Sequence, residues 1–281
     1  MTRIIDTEVH LMHPESIGCD FAAGTDEPVR KAIHDHPDYS RISSLMTLDA
    51  LLVSMEQNAI SHCHLMGMPW RNEAWNEANN EYIEACVRQH PDKFSGMYIP
   101  HLGDLGIAAK RVGNLDKSTY LGVKLITGWQ DVQMNDPVMY PLYEAIQENS
   151  MFLMLHVDHM TQSLDGDAPQ KLLDVVCRYP DLKILATHMG GLLCLYHLQD
   201  KVRDLMKNVI YITSVSSTMD FVRYASEINP TNIVYGSDYP FNHCHDQCTQ
   251  LKEIEKLPRN VCNLILFENA ERIFNYGGGL S

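Results

Sequence analysis

The feature of this sequence that most restricts its fold is an alternation. Eight short apolar runs recur along the chain: Ile4–His10, Ile60–Met66, Phe94–Ile99, Leu121–Ile126, Met151–Val157, Leu182–His188, Val209–Thr213 and Ile233–Ser237. Each is short for a globular helix and too continuously apolar for a half-exposed strand, so each reads as a strand buried on both faces. The segments between them read as helices. Leu48–Gln57 follows Thr47, a residue suited to accept from the first free backbone N–H groups. Asn76–Gln89 carries Ala78, Tyr82, Ala85 and Cys86 at helical spacing. Asp104–Asn114, Pro137–Asn149, Pro169–Tyr179, Leu192–Lys207, Ser217–Ile228 and Cys248–Lys256 fill the other gaps. Turn signals such as Gln89-His90-Pro91-Asp92 and Tyr179-Pro180-Asp181 end two of them.

Eight strand-then-helix units in 281 residues, with no break in composition, predict an α/β chain folded as one (β/α)8 TIM barrel. A doubly wound open sheet competes, but it usually carries a glycine-rich phosphate loop after its first strand. The sequence has neither GxGxxG nor GxxxxGK[ST]. The expected organisation is a single domain over 1–275, with a long connection over 11–44 and a tail over 276–281. Connections as long as 11–44 are usually functional.

Charge narrows the partners. Asp and Glu number 36 against 22 Lys and Arg, a formal charge of −14. So negative a surface repels nucleic acid and anionic membrane, and neither is an expected partner. The apolar runs are far shorter than the ~20 residues that span a bilayer, and the first residues hold no apolar leader core. The 8 cysteines are scattered and read as reduced thiols of a cytoplasmic protein. Assembly as a homodimer or higher homo-oligomer stays open.

In a barrel of this kind the C-terminal ends of the strands carry the chemistry. Residues two apart on a strand share a face, so Glu8 and His10 would both point into the barrel mouth. The fifth run ends at His156 and the sixth at His188, and Asp238 follows the eighth. A lone histidine after an apolar run is ordinary. Two carboxylates and three imidazoles at the same end of one barrel are not, because unpaired buried carboxylates are costly. A divalent cation would offset that cost, and a small anionic organic molecule is the expected substrate.

Seven segments together give the chain a resemblance to a known family. They are Glu8-Val9-His10, His90-Pro91-Asp92-Lys93-Phe94, Gly122-Val123-Lys124-Leu125, His156, His188-Met189-Gly190-Gly191, Gly236-Ser237-Asp238-Tyr239-Pro240 and Glu268-Asn269-Ala270-Glu271-Arg272-Ile273-Phe274. The chain resembles the amidohydrolase superfamily, in the branch that includes aminocarboxymuconate-semialdehyde decarboxylase and γ-resorcylate decarboxylase. The resemblance implies one divalent metal, Zn2+ or Mn2+, held by Glu8, His10, His156 and Asp238. It implies His188 as the acid–base residue beside the metal, with Asp238 sharing that role. The implied activity is non-oxidative decarboxylation of a small aromatic or unsaturated acid. Metal-dependent hydrolysis of a lactone, ester or amide is the alternative. A barrel that binds metal or ligand without turnover is a third possibility. Gly191 stands where the branch's aromatic decarboxylases often carry Glu.

Other residues are candidates for substrate contact. Arg71 has the fork geometry that suits a carboxylate. Trp70 and Trp129 offer flat faces to a planar ligand. Lys124 would sit at the end of the fourth strand, against a carboxylate or the substrate; in binuclear relatives a carbamylated lysine there bridges two metals. His62 and His64 are expected near the end of the second strand. His159 and the stretch His243-Cys244-His245-Asp246-x-Cys248 read as loop residues, the latter matching no zinc spacing. His34-Asp35-His36-Pro37-Asp38-Tyr39 reads as part of a lid or of a solvated loop. No GxSxG elbow is present, and Ser237 should point away from Asp238, which argues against a serine nucleophile.

Overall fold

The computed structural model describes residues 3–18, 20–157, 167–214, 219–241 and 247–276. Eight strands form one sheet: β1 (Ile5–His10), β2 (His62–Met66), β3 (Phe94–Tyr98), β4 (Tyr120–Leu125), β5 (Phe152–Leu155), β6 (Ile184–Ala186), β7 (Val209–Ile212) and β8 (Ile233–Val234). They are ordered as in sequence and each neighbouring pair is parallel. The sheet curls back on itself. Val9 bridges Tyr239, and backbone bonds from Thr7 N to Tyr235 O (3.0 Å) and His10 N to Tyr239 O (2.7 Å) join β1 to the chain leaving β8. The predicted (β/α)8 barrel is the fold.

Alternation along the strands divides the apolar side chains. Met66, Met154, Leu185 and Ile210 join a cluster that fills the barrel. Their strand neighbours Leu65, Leu153, Ile184 and Val209 join the larger cluster shared with the outer helices. Both strand faces are therefore buried, which is why the sequence shows continuous apolar runs. Helices start where a side chain can accept from their first N–H groups. Thr47 Oγ1 takes Ala50 N before Leu48–Gln57, Asn72 Oδ1 takes Trp75 N before Glu73–Gln89, and Asp104 Oδ1 takes Ile107 N before Leu105–Gly113.

The two barrel ends differ. At the N-terminal end the helix Asn269–Phe274 acts as a floor, with Phe274 packed on Phe152 and His64. His62 and His64 lie early in β2 and face this floor, rather than the strand end where they were expected. His62 bonds Ser95 Oγ (2.9 Å), and His64 Nε2 bonds the hydroxyl of Tyr276 (2.5 Å), the first residue of the expected tail. At the other end the connection after β1 folds into a cap. It holds a short 3-10 turn (Pro14–Ile17), a π turn (Arg30–His34) and a helix (Tyr39–Leu45). Met12, Val29, Ile33, Ile42 and Met46 of this cap pack with Met68 and Trp70 from the loop after β2.

One expected helix is absent. The chain leaving β6 does not run as a helix over 192–207. His188, Met189, Gly190, Gly191 and Leu192 all have positive φ (53°, 55°, 64°, 56° and 80°), and a 3-10 stretch (Leu193–Leu198) and a short helix (Asp200–Leu205) follow. Gly190 is required there, because a Cβ would lie 2.8 Å from the Tyr211 ring.

Candidate metal centre

A bulge in β1 between Asp6 and Val9 sets the inner face of that strand, so that Val9 packs outward and Glu8 and His10 turn inward. Asp238 comes from the chain leaving β8 and sits in the left-handed region, with φ 57°. One ligand atom from each of Glu8, His10 and Asp238 lies within 4.8 Å of the others. His10 and Glu8 are almost fully buried and Asp238 is partly buried. His156 stands at the mouth edge-on to His188, with ring centroids 4.8 Å apart. The structure thus brings the five strand-end residues to one end of the barrel.

The three imidazoles share one orientation. Nδ1 of His10 bonds Gly67 O (3.1 Å), Nδ1 of His156 bonds Asp167 Oδ2 (2.9 Å), and Nδ1 of His188 bonds Ser214 O. Carbonyls and carboxylates only accept, so each Nδ1 carries a proton, and Nε2 is the nitrogen that a neutral ring would offer to an ion. His10 Nε2 is 3.5 Å from Asp238 Oδ1. A lone pair facing a carboxylate oxygen at that distance is repulsive unless a proton or a cation lies between them. Neutral imidazoles oriented through Nδ1 and paired with carboxylates form a donor set that suits Zn2+ or Mn2+. The residues present fit a divalent ion.

The electrostatics agree with that arrangement. Burial, with Lys124 adding to it, presses His10 down to about 4, and burial with His156 does the same to His188. Both rings are therefore neutral at pH 7. Burial and the neighbouring Glu8 carboxylate push Asp238 well above the ordinary range. Burial alone would raise Glu8 too, but Lys124, His188 and His10 outweigh it and hold Glu8 low.

Lys124 is fully buried, and its Nζ lies 2.8 Å from Glu8 Oε1. The other carboxylate oxygen of Glu8 accepts from Ser214 Oγ (2.5 Å). Of three supporting residues, only Asp6, an acid two residues before Glu8 in the same apolar run, carries a signal in the sequence. Ser214 follows β7. Asp167 orients His156 while accepting from Thr127 Oγ1 (2.5 Å) and Gly128 N (3.0 Å). Asp6, fully buried and raised to about 7 chiefly by that burial, accepts from Ser237 N (2.9 Å) and Glu8 N (3.3 Å), tying β1 to the β8 exit. Ser237 N thus bonds Asp6, and Ser237 Oγ accepts from Tyr239 N, so neither group is turned to the metal residues.

The other candidates lie further out. Arg71 donates to Asp131 Oδ1 (2.5 Å) and Asp26 O (3.1 Å) at the rim of the cap. Trp70 is 2% exposed and packs against Phe21 and Trp75, and Trp129 packs on the same cluster. Among the described residues, Phe241 meets a candidate ligand, its ring 5.3 Å from that of His10. His34 packs 6.3 Å from Trp70 in the cap. His159 and 242–246 lie outside the described residues, and so does the cluster read around His243.

A family described as amidohydrolase matches residues 5–276, so the chain belongs to that family. No curated protein matches the chain. Among solved structures it is similar to 5-carboxyvanillate decarboxylase from Sphingomonas paucimobilis (TM-score 0.81, 18% identity, covering 98% of this chain and 99% of that one). It is also similar to a dihydroxybenzoic acid decarboxylase from Polaromonas sp. JS666 with bound manganese and the inhibitor 2-nitroresorcinol (0.79, 17%, 100% and 99%). A third is 4-oxalomesaconate hydratase from Rhodopseudomonas palustris (0.69, 17%, 97% and 95%). At these identities the likeness is one of fold.

Proposed function

We propose that this chain is a divalent-metal-dependent carboxy-lyase that removes CO2 without oxidation from a small aromatic or unsaturated carboxylic acid. The observation that carries this reading is the set of three imidazoles committed through Nδ1 beside two carboxylates, at the strand-end mouth of an amidohydrolase-family barrel. Several of the similar structures are aromatic-acid decarboxylases, some of them with manganese bound. Glu8, His10, His156 and Asp238 would hold the ion, Mn2+ or Zn2+. When bound, the ion supplies Lewis-acid charge for a substrate carboxylate or an adjacent oxygen.

The chain's own groups do the rest. Lys124 and Ser214 fix the two oxygens of Glu8. His188, neutral and committed through Nδ1, can accept at Nε2 but has no proton there to give. Delivery of a proton to the ring carbon therefore falls first to Asp238, with His188 able to serve once charged. The carbon–carboxylate bond breaks, CO2 leaves, and that proton takes its place. The apolar cap lies over this end of the barrel, and Phe241, beside the His10 ring, suits a planar acid, whereas Trp70 and Trp129 are taken up in the packing of the cap. Arg71 would bind a substrate carboxylate only by giving up Asp131. The free thiols among the described cysteines suit a cytoplasmic setting.

The test is turnover by the Mn2+-loaded protein. Hydroxybenzoates and muconate-like acids should release CO2 with a change in ultraviolet absorbance. Acid release from lactones or esters, without CO2, would assign hydrolysis instead. No turnover of either panel by metal-loaded protein would contradict the enzyme reading and leave a binding barrel.

A further inference from the structure

Ser214 occupies an unusual place. It follows β7, is 1% exposed, and meets two parts of the candidate centre at once. Its hydroxyl donates to Glu8 Oε2 at 2.5 Å. The same oxygen accepts from the backbone N of His188 at 3.2 Å, and the Ser214 carbonyl accepts from His188 Nδ1. With Lys124 Nζ on Glu8 Oε1, a continuous chain of contacts crosses the barrel from β4 through β1 to the exits of β7 and β6.

The need for such a tie is visible at both ends. Glu8 has no backbone N–H on its carboxylate among the described contacts, so the plane of that carboxylate is set by Lys124 and Ser214 alone. His188 opens a run of five residues with positive φ, a conformation that L residues do not hold unaided. Its ring direction depends on the turn being kept in place. Ser214 supplies an acceptor to the first amide of that turn and another to the ring.

We propose that Ser214 is a positioning residue that couples the two sides of the centre. Its hydroxyl orients the Glu8 carboxylate for an ion and, through the same oxygen, holds the left-handed turn that aims His188. This rests on the metal reading for Glu8, whereas the hold on His188 stands without it.

The test compares wild type with Ser214→Ala and Ser214→Thr by two measurements. The first is Mn2+ affinity, read by competition with a chromophoric chelator. The second is hydrogen exchange of the His188 backbone amide in metal-free protein. Loss of a group that orients a ligand typically weakens metal binding about ten- to a hundredfold, and that is expected for alanine. The His188 amide of the alanine variant should exchange at least about tenfold faster, because its acceptor is gone. Threonine, which keeps the hydroxyl, should stay within about threefold of wild type on both counts. Should alanine fail to fold, Ser214→Cys, with a weak S–H donor, is read in its place with the same expectation. An alanine or cysteine variant that matches wild type in either measurement overturns the coupling, as does a threonine variant as impaired as alanine. A wild type that binds no Mn2+ refutes the proposed function separately, and the amide exchange then decides the role of Ser214.

Discussion

Asp167→Asn is the most discriminating single change near the centre. Oδ1 of Asp167 accepts from Thr127 Oγ1 (2.5 Å) and Gly128 N (3.0 Å), while Oδ2 accepts from His156 Nδ1 (2.9 Å). An asparagine must keep its carbonyl oxygen toward the Gly128 N–H, because an NH2 there would face another donor. Its NH2 then faces His156, and the imidazole relieves the clash by moving its proton to Nε2. That tautomer blocks the nitrogen offered to the ion. A hydrogen bond to a charged group contributes about 1.5–3 kcal/mol, so affinity for Mn2+ should fall roughly ten- to a hundredfold. The assays are metal competition and nitrogen NMR of the His156 ring, which should change from the Nδ1–H to the Nε2–H form in the metal-free variant. Mn2+ affinity within about threefold of wild type, with the Nδ1–H tautomer retained, would refute the reasoning.

Two further outcomes follow from buried charges. His62 is pushed down to about 4, chiefly by burial, from an ordinary value of 6.5. Its neutral form is the native one, so its contribution to stability is full above pH 6.5, shrinks as pH falls because the unfolded chain takes the proton first, and is gone by about 4. That makes about 3 kcal/mol between those limits, and metal-free His62→Gln should show a pH dependence flatter by that amount in urea titrations; an unchanged slope would contradict it. Lys124→Met removes one partner of a fully buried pair, which costs about 3–5 kcal/mol when the other charge is left alone. The loss should be clearly smaller in Mn2+-loaded protein, where Glu8 has a cation, and an equal loss with and without Mn2+ would count against Glu8 as a ligand.

The strands were legible because each is buried on both faces, so burial itself writes a continuous apolar run. The five strand-end residues were legible for the complementary reason: ionisable groups close several of those runs at the end where a barrel carries its chemistry. What supports them was not. Asp167 lies 11 residues beyond His156 and Ser214 lies 206 beyond Glu8, and nothing local marks either pairing. Arg71 was singled out for its chemistry, but its partners Asp26 and Asp131 are 45 and 60 residues away in sequence, and only folding supplies them. The expected helix over 192–207 failed on backbone grounds. Periodicity reports which residues are apolar, and the left-handed path from His188 to Leu192 is written instead in the Gly190-Gly191 pair. His62 and His64 show the same limit from another side, since a histidine within an apolar run does not reveal which end of the barrel it faces.

The account depends on the strand ends holding one ion, and metal content measures that directly. Purified protein saturated with Mn2+ or Zn2+ and freed of excess should retain about one equivalent per chain. Asp238→Asn and His156→Ala should lose it while keeping the far-ultraviolet circular dichroism of the wild type. A folded wild type that retains no ion, or variants that retain it in full, would contradict the central claim.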